Sequence, residues 1–279
     1  MKWNNSLAVG SAAALVLSAC ASEPTATEPS AVVSTAGVAT GYTAVDLGTI
    51  CGPAMGQPLV CGWSSIAIDI NPAGQIVGAS DTPANLAIAA ALWDKGVVTD
   101  LGALLPGEGT ASFAYAINPA GQIVGLSWKG GEFHAVLWEH GVLTDLGTLG
   151  GVLSAALDIN PSAQVVGWSY TPPLDGPAHA FLWENGVMTD LGTLGGAESH
   201  ANAINPAGQV AGSSTTASGE TRAFLWENGV MTNLGTLAGN TSRAYAINPA
   251  GQIVGSSTTE TFIHAVRWER SSKADLAHD

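Results

Sequence analysis

Apolar residues along this chain come in short runs broken by clusters of Asn, Pro, Gly, Ser and Asp. Residues 179–196 show the pattern most clearly, reading HAFLWENGVMTDLGTLGG. A run containing Phe181 and Trp183 meets Glu184-Asn185-Gly186, and a second run then reaches Asp190-Leu191-Gly192. Asn-Gly between two hydrophobic runs predicts a tight β-hairpin, because both residues tolerate the positive φ that such turns need.

The stretch recurs with drift. The motif Ile-Asn-Pro-(Ala/Ser)-(Gly/Ala)-Gln starts at Ile70, Ile117, Ile159, Ile204 and Ile247, at spacings of 47, 42, 45 and 43 residues. A glycine follows each motif Asn by seven residues (Gly78, Gly125, Gly167, Gly212, Gly255). A tryptophan comes later in each unit (Trp93, Trp138, Trp183, Trp226, Trp268), with an Asp or Asn seven residues beyond it. Each unit holds four candidate strands, in the fourth unit 201–204, 209–213, 222–226 and 230–234, and Asn205-Pro206-Ala207-Gly208 suits a type I turn. The second and third strands are apolar on both faces, so both faces are covered. Helical spacing is absent.

Four antiparallel strands per period of this length predict an all-β fold: a β-propeller of five four-stranded blades. A β-solenoid is the alternative. The ends bear on closure. Residues 42–50 (YTAVDLGTI) form a fourth-strand sequence with no unit before them, and 271–277 (SSKADLA) have lost their apolar residues. The pattern predicts that 42–50 close the circle as outer strand of the last blade, although Asp275-Leu276 keep the register of a strand there.

Before the repeats, Lys2 precedes an apolar run at 7–17 that is too short to span a bilayer. Leu17-Ser18-Ala19-Cys20 resembles the lipobox of bacterial lipoproteins. The resemblance implies a signal peptide over 1–19, cleavage before Cys20, a lipid on that cysteine and hence a membrane partner. Ala21, standing where an Asp would mark inner-membrane retention, points to the outer membrane, periplasmic or surface-facing. An ordinary secretory signal is the other reading. Residues 21–41, rich in Ala, Ser, Thr, Pro and Glu, form with Cys20 a flexible tether over 20–41. The repeat domain then spans 42–279. Cys51 and Cys61 close a short loop in which a disulfide would contribute about 2–3 kcal/mol in the chain-entropy model. No histidine stands near them to suggest zinc.

Eight basic against twenty-two acidic residues, a net charge of −14, argue against a nucleic-acid partner. The phrases His-Ala-Phe-Leu-Trp-Glu-Asn-Gly, Asp-Leu-Gly-Thr-Leu-Gly-Gly and Ala-Ile-Asn-Pro-Ala-Gly-Gln are similar to the HAF family of extracellular bacterial repeats. The likeness runs from Tyr42 to about Glu269. It implies a secreted or surface repeat protein and carries no activity. Ala89 and Arg222 stand where the motif has His, and Asn233 where it has Asp.

Little in the repeats reads as chemistry. His134, His179 and His264 sit four residues before a Trp; on separate blades they lie too far apart to share a metal, so bonds to a neighbouring carboxylate are expected. Asp46, Asp100, Asp145 and Asp190 head Leu-Gly turns, where Asp accepts local N–H groups. Asp69 and Asp158 precede Ile-Asn in two units only, at a spacing unlike a calcium loop. The five repeated tryptophans read as core. Aromatics that break the repeat, Trp63, Trp128, Trp168 and Tyr170, are the candidate ligand contacts, with the Pro-rich insertion 170–177 as a rim feature. No nucleophile elbow, phosphate loop or zinc signature occurs, so no catalytic residue, metal or cofactor is assigned. The expectation is an envelope binding or interaction module for a glycan or protein. A glycan hydrolase or lyase is the alternative, needing carboxylates to converge near the axis beyond scattered ones such as Asp81, Glu108, Glu132, Asp175 and Glu198. A structural envelope protein is the third reading.

Overall fold

The computed structural model describes residues 44–52, 60–62, 64–82, 87–105 and 111–270. The chain divides into two units, Met1–Asp46 and Leu47–Asp279. Of the first, only 44–46 are described, in no regular element, so the expected signal peptide and the expected lipid site at Cys20 lie outside the described residues.

The second unit holds strands alone among its described residues. A short pair, β1 (Cys51–Gly52) and β2 (Val60–Cys61), comes first. The first blade is β3 (Ser65–Ile70), β4 (Ile76–Asp81), β5 (Ile88–Asp94) and β6 (Val97–Asp100). The second is β7 (Ser112–Ile117), β8 (Ile123–Lys129), β9 (Glu132–Glu139) and β10 (Val142–Gly147). The third is β11 (Ser154–Ile159), β12 (Val165–Tyr170), β13 (Ala178–Glu184) and β14 (Val187–Asp190). The fourth is β15 (Gly195–Ile204), β16 (Val210–Thr216), β17 (Thr221–Glu227) and β18 (Val230–Asn233). The fifth has three described strands, β19 (Ser242–Ile247), β20 (Ile253–Thr258) and β21 (Ile263–Trp268). Every blade is an antiparallel meander in chain order, as the repeat predicts for a propeller. Its candidate fourth strand at 271–277 lies outside the described residues, as do Tyr42 and Thr43, and residues 44–50 are in no strand.

Local chemistry explains each element. The outer hairpins turn on Asn185-Gly186 and Asn228-Gly229, with φ of +51° and +83° in one and +52° and +81° in the other. Both central residues are left-handed, as a type I′ turn requires. The inner hairpins turn on the Asn-Pro motif: Gly208 N–H donates to Asn205 C=O at 3.0 Å, closing the expected turn. Each first strand also carries a bulge the sequence did not announce, the extra residue being Ile68, Tyr115, Leu157, Asn202 or Tyr245. Beside it sits the repeated glycine. A Cβ on Gly167 would stand 1.9 Å from the Ala155 carbonyl oxygen, and the equivalent glycines are as tightly placed.

The core lies between blades. Ala116, Val124, Ala135 and Leu137 of the second blade pack on Ala156, Ile159, Val165 and Phe181 of the third, and equivalent clusters fill the neighbouring junctions. Polar groups sew the same junctions. Ser154 Oγ accepts from Ala135 N–H at 2.8 Å and donates to Gly147 C=O at 2.6 Å; Ser112, Ser199 and Ser242 repeat both bonds. Ser80, Ser127, Ser169, Ser214 and Ser257 each accept an N–H from the linker that enters their blade. The motif asparagines form a ladder: the side-chain amide of Asn71 donates to Asn118 C=O, Asn118 to Asn160, Asn160 to Asn205 and Asn205 to Asn248, at 3.1–3.2 Å. Each Oδ1 also accepts two N–H groups of its own turn, and each amide reaches the motif Gln, which in turn donates to the Asp or Glu after the repeated Trp.

Two outcomes follow from this arrangement. Asn118→Ala strands two turn N–H groups and the Asn160 carbonyl, and is expected to cost about 2–4 kcal/mol in denaturant titration, whereas Asn248→Ala, at the exposed end of the ladder, costs about 1 kcal/mol. Gly167→Ala drives a methyl group into backbone and is expected to lower stability by more than about 3 kcal/mol, read in the same titration.

Candidate functional site

Trp168 and Tyr170, on β12, come together with ring centroids 5.7 Å apart. A third ring joins them. His200, on the first strand of the fourth blade, stands edge-on to Trp168 at 5.8 Å. All three side chains are half-buried, so the cluster is packed on one side and open on the other. Burial holds the His200 pKa below its ordinary value, with the Glu198 carboxylate acting the other way and the Arg243 charge adding to the lowering. The site therefore combines an aromatic wall, a neutral imidazole and charges of both signs within electrostatic reach.

The insertion 170–177 borders it. Thr171 ties to Pro177 by its N–H and its hydroxyl, Val152 N–H donates to Leu174 C=O, and Leu174 itself is exposed. Trp128 occupies, in the second blade, the register position that Tyr170 has in the third, and packs edge-on against Phe133 with centroids 5.1 Å apart. Both tryptophans lie inside strands and neither on a loop. Trp63 lies outside the described residues. His200 was missed in the sequence because it stands in a first strand whose equivalents are Ile66, Phe113, Ala155 and Arg243, so no repeat position flags it.

The repeated polar residues are structural. Asp100, Asp145 and Asp190 accept the Gly N–H two residues on at 2.7–2.8 Å, as Asn233 does. His134 and His179 bond through Nδ1 to Asp145 and Asp190 across the outer hairpin. Lys129 bonds Asp145 as well; these partners outweigh its burial and hold its pKa below the ordinary value. Trp93 and Trp138 are buried, while Trp183, Trp226 and Trp268 are half-buried. Cys51 is disulfide-bonded, and strand pairing sets Cys61 directly opposite it.

Asp69 and Asp158 turn out to be clamps between blades. Asp158 accepts from Ile159 N–H and from Ile204 N–H of the next blade, both at 2.8 Å, and Asp69 makes the same pair of bonds to Ile70 and Ile117. Burial pushes the Asp158 pKa up to about 6, against those two bonds, and the charge of Asp69 adds to the rise. The carboxyl oxygens are already engaged by backbone donors, which leaves neither residue placed as a general acid or base. At the strand ends that carry the Asn-Pro turns a groove of about 330 Å³ runs between the second and third blades, lined by Gln122, Glu139, Gln164, Trp183 and Glu184 among others. Its carboxylates belong to the repeated Gln–Glu bonds, and in the fourth blade the matching Glu227 is taken by Arg270. Among the described residues no group of three His, Cys, Asp or Glu side chains could hold a metal.

No protein-family model matches the chain, and none of the curated proteins matches it in sequence. Solved structures do resemble it. TolB from Acinetobacter baumannii superposes with a TM-score of 0.51 at 12% identity, over 73% of this chain and 51% of that one. A chain designated TolB from Agrobacterium tumefaciens gives 0.51 at 11% identity, over 75% of this chain and 80% of that one. This chain thus spans about half the length of the Acinetobacter protein. The likeness is one of fold. A gluconolactonase from Xanthomonas campestris, at a TM-score of 0.40 and 14% identity over 73% of each chain, is too loosely similar to carry an argument.

Titration of Asp158 gives a test of the clamp. Its folded pKa lies above its ordinary value of 3.8, so the folded state holds the extra proton and this group's contribution to stability falls as pH rises from about 4 through about 6. The stability of the wild type relative to Asp158→Asn is expected to decline by about 2–3 kcal/mol over that window and to stay level above it, as measured by denaturant titration. A level difference across the window would refute the clamp's protonation.

Proposed function

We propose that this protein is a cell-envelope lipoprotein whose propeller acts as a binding module, with the Trp168–Tyr170–His200 cluster as its ligand platform. One observation carries the reading: three half-open rings from two blades converge where the repeat pattern breaks. Aromatic faces of this kind stack on the apolar C–H faces of sugar rings, and the flanking imidazole and charged groups supply hydrogen bonds for orientation. A glycan is therefore the ligand class the site suits best. The lipobox-like Leu17-Ser18-Ala19-Cys20, the disulfide at Cys51 and the HAF-like repeats support an oxidising envelope location. A hydrolase or lyase reading would need free carboxylates beside the platform. Glu198 is the only carboxylate among the described residues that acts on His200, and it has no second carboxylate paired with it there.

Titrating the full-length protein with a panel of envelope and plant-type oligosaccharides, followed by tryptophan fluorescence, tests this. A binding glycan is expected to shift the emission, and Trp168→Ala to weaken its affinity at least tenfold with an unchanged melting curve. Loss of binding on Trp128→Ala and not on Trp168→Ala would move the site to the second blade. Reducing sugars released on incubation would favour the enzyme.

A further inference from the structure

The register pair that holds the platform recurs in every blade, and it carries a ring in three consecutive ones. Trp168 stands opposite Ala155 in the third blade, and His200 stands opposite Ser213 in the fourth. In the second blade the pair is Phe113 opposite Leu126. Directly opposed residues of an antiparallel pair share a face, so one ring per blade occupies this spot whichever strand supplies it. On either side of the three the ring is missing: the first blade has Ile66 opposite Ala79, and the fifth has Arg243 opposite Ser256. The three blades are joined at this level. Trp168 meets His200 edge-on at 5.8 Å, and Ala116 of β7 shares one core cluster with Ala156 and Ile159 of β11.

Phe113 has a second ring with it. Tyr115, the bulge residue of β7, stacks on Phe113 with centroids 6.4 Å apart and planes 14° apart, and both side chains are half-buried. The Tyr115 hydroxyl bonds no group among the described residues. The fifth blade shows why. There Tyr245 fills the same bulge position, and its hydroxyl lies 3.0 Å from the Oγ of Ser256, the residue opposite Arg243. In the second blade that place belongs to Leu126, whose side chain has no hydrogen-bonding atom. The Tyr115 oxygen still reaches the surface, because Trp138 Nε1 is the only side-chain polar atom among the described residues that is both sealed and unpartnered. Burial pushes the Tyr115 pKa above its ordinary value, so the group stays a neutral phenol able to donate and accept. A hydroxyl taken largely out of water and left without a protein partner gains by bonding a ligand.

We infer that Phe113 and Tyr115 form a second sugar subsite one blade before the Trp168–Tyr170–His200 platform, so that the ligand is a linear oligosaccharide held along its length across the second, third and fourth blades. The inference rests on the platform being a glycan site. Each station repeats the same chemistry: rings offer an apolar face to the C–H face of a sugar, and a polar tip takes a sugar hydroxyl. At the platform that tip is the imidazole of His200, and at the second station it is the phenol of Tyr115. A short oligosaccharide fills one station. A longer chain fills both, and the second contact forms within a complex already made, so affinity grows with length until the two stations are spanned. The order of stations also fixes what is recognised: an internal stretch of glycan, and not a chain terminus.

Calorimetric titration of the full-length protein with size-graded cello-, manno-, xylo- and chito-oligosaccharides, from dimers to octamers, tests this. In the series that binds, affinity is expected to rise about tenfold or more between the dimer and the longer oligomers and then to level off. Tyr115→Phe removes one oxygen that no protein group bonds, so its melting curve is expected to match the wild type. It is expected to weaken the longer oligomers roughly fivefold, the worth of one hydrogen bond, and to leave the dimer unchanged. Trp168→Ala weakens short and long oligomers alike. Affinity that does not rise with length overturns the second subsite and leaves the platform standing, as does a Tyr115→Phe variant that binds long oligomers like the wild type or weakens the dimer equally. Failure of every series at every length, or binding indifferent to Trp168→Ala, brings down the platform and the second subsite together.

Discussion

A blade of this protein cannot bury both of its faces, and everything else in the fold answers that constraint. Small residues face forward and back so that sheets approach closely, and the buried backbone this creates must find partners. Asn118 shows how one side chain meets the need: its oxygen closes its own turn, and its amide holds both the motif Gln and the next blade's carbonyl. The serines do the same at the other strand ends. Stability is therefore held in junctions between neighbours more than within any sheet, as in other repeat proteins.

That division of labour shapes the candidate site. Residues repeated in every blade are consumed in holding blades together, which is why the repeated Asp and His bond to each other and to turn backbone. Residues that vary from blade to blade are released from that duty. Trp168 and His200 stand at positions filled elsewhere by residues as different as Ala, Ile, Ser and Arg. It is at such variable positions, on a frame held by its repeated residues, that the aromatic cluster stands.

Asp158 marks the boundary between the two classes. Present in two units only, it looks like a site residue in sequence, yet both its oxygens serve the junction with the fourth blade. Its raised pKa is the cost of burying a charge for that purpose and does not signal proton transfer.

Strand number, blade count, hairpin positions and the turn role of the aspartates were legible in the chain, because they depend on neighbours in sequence: Asn-Gly for the outer turns, Asn-Pro for the inner ones, and a period near forty-five residues for the blade. Trp168 and Tyr170 were also legible, as departures from that period. The bulge in each first strand, the asparagine ladder, the clamps of Asp69 and Asp158 and the place of His200 beside Trp168 were not. All but the bulges join residues of neighbouring blades, the ladder and the clamps across 42 to 48 positions, and such partners are chosen by how one sheet lies on the next.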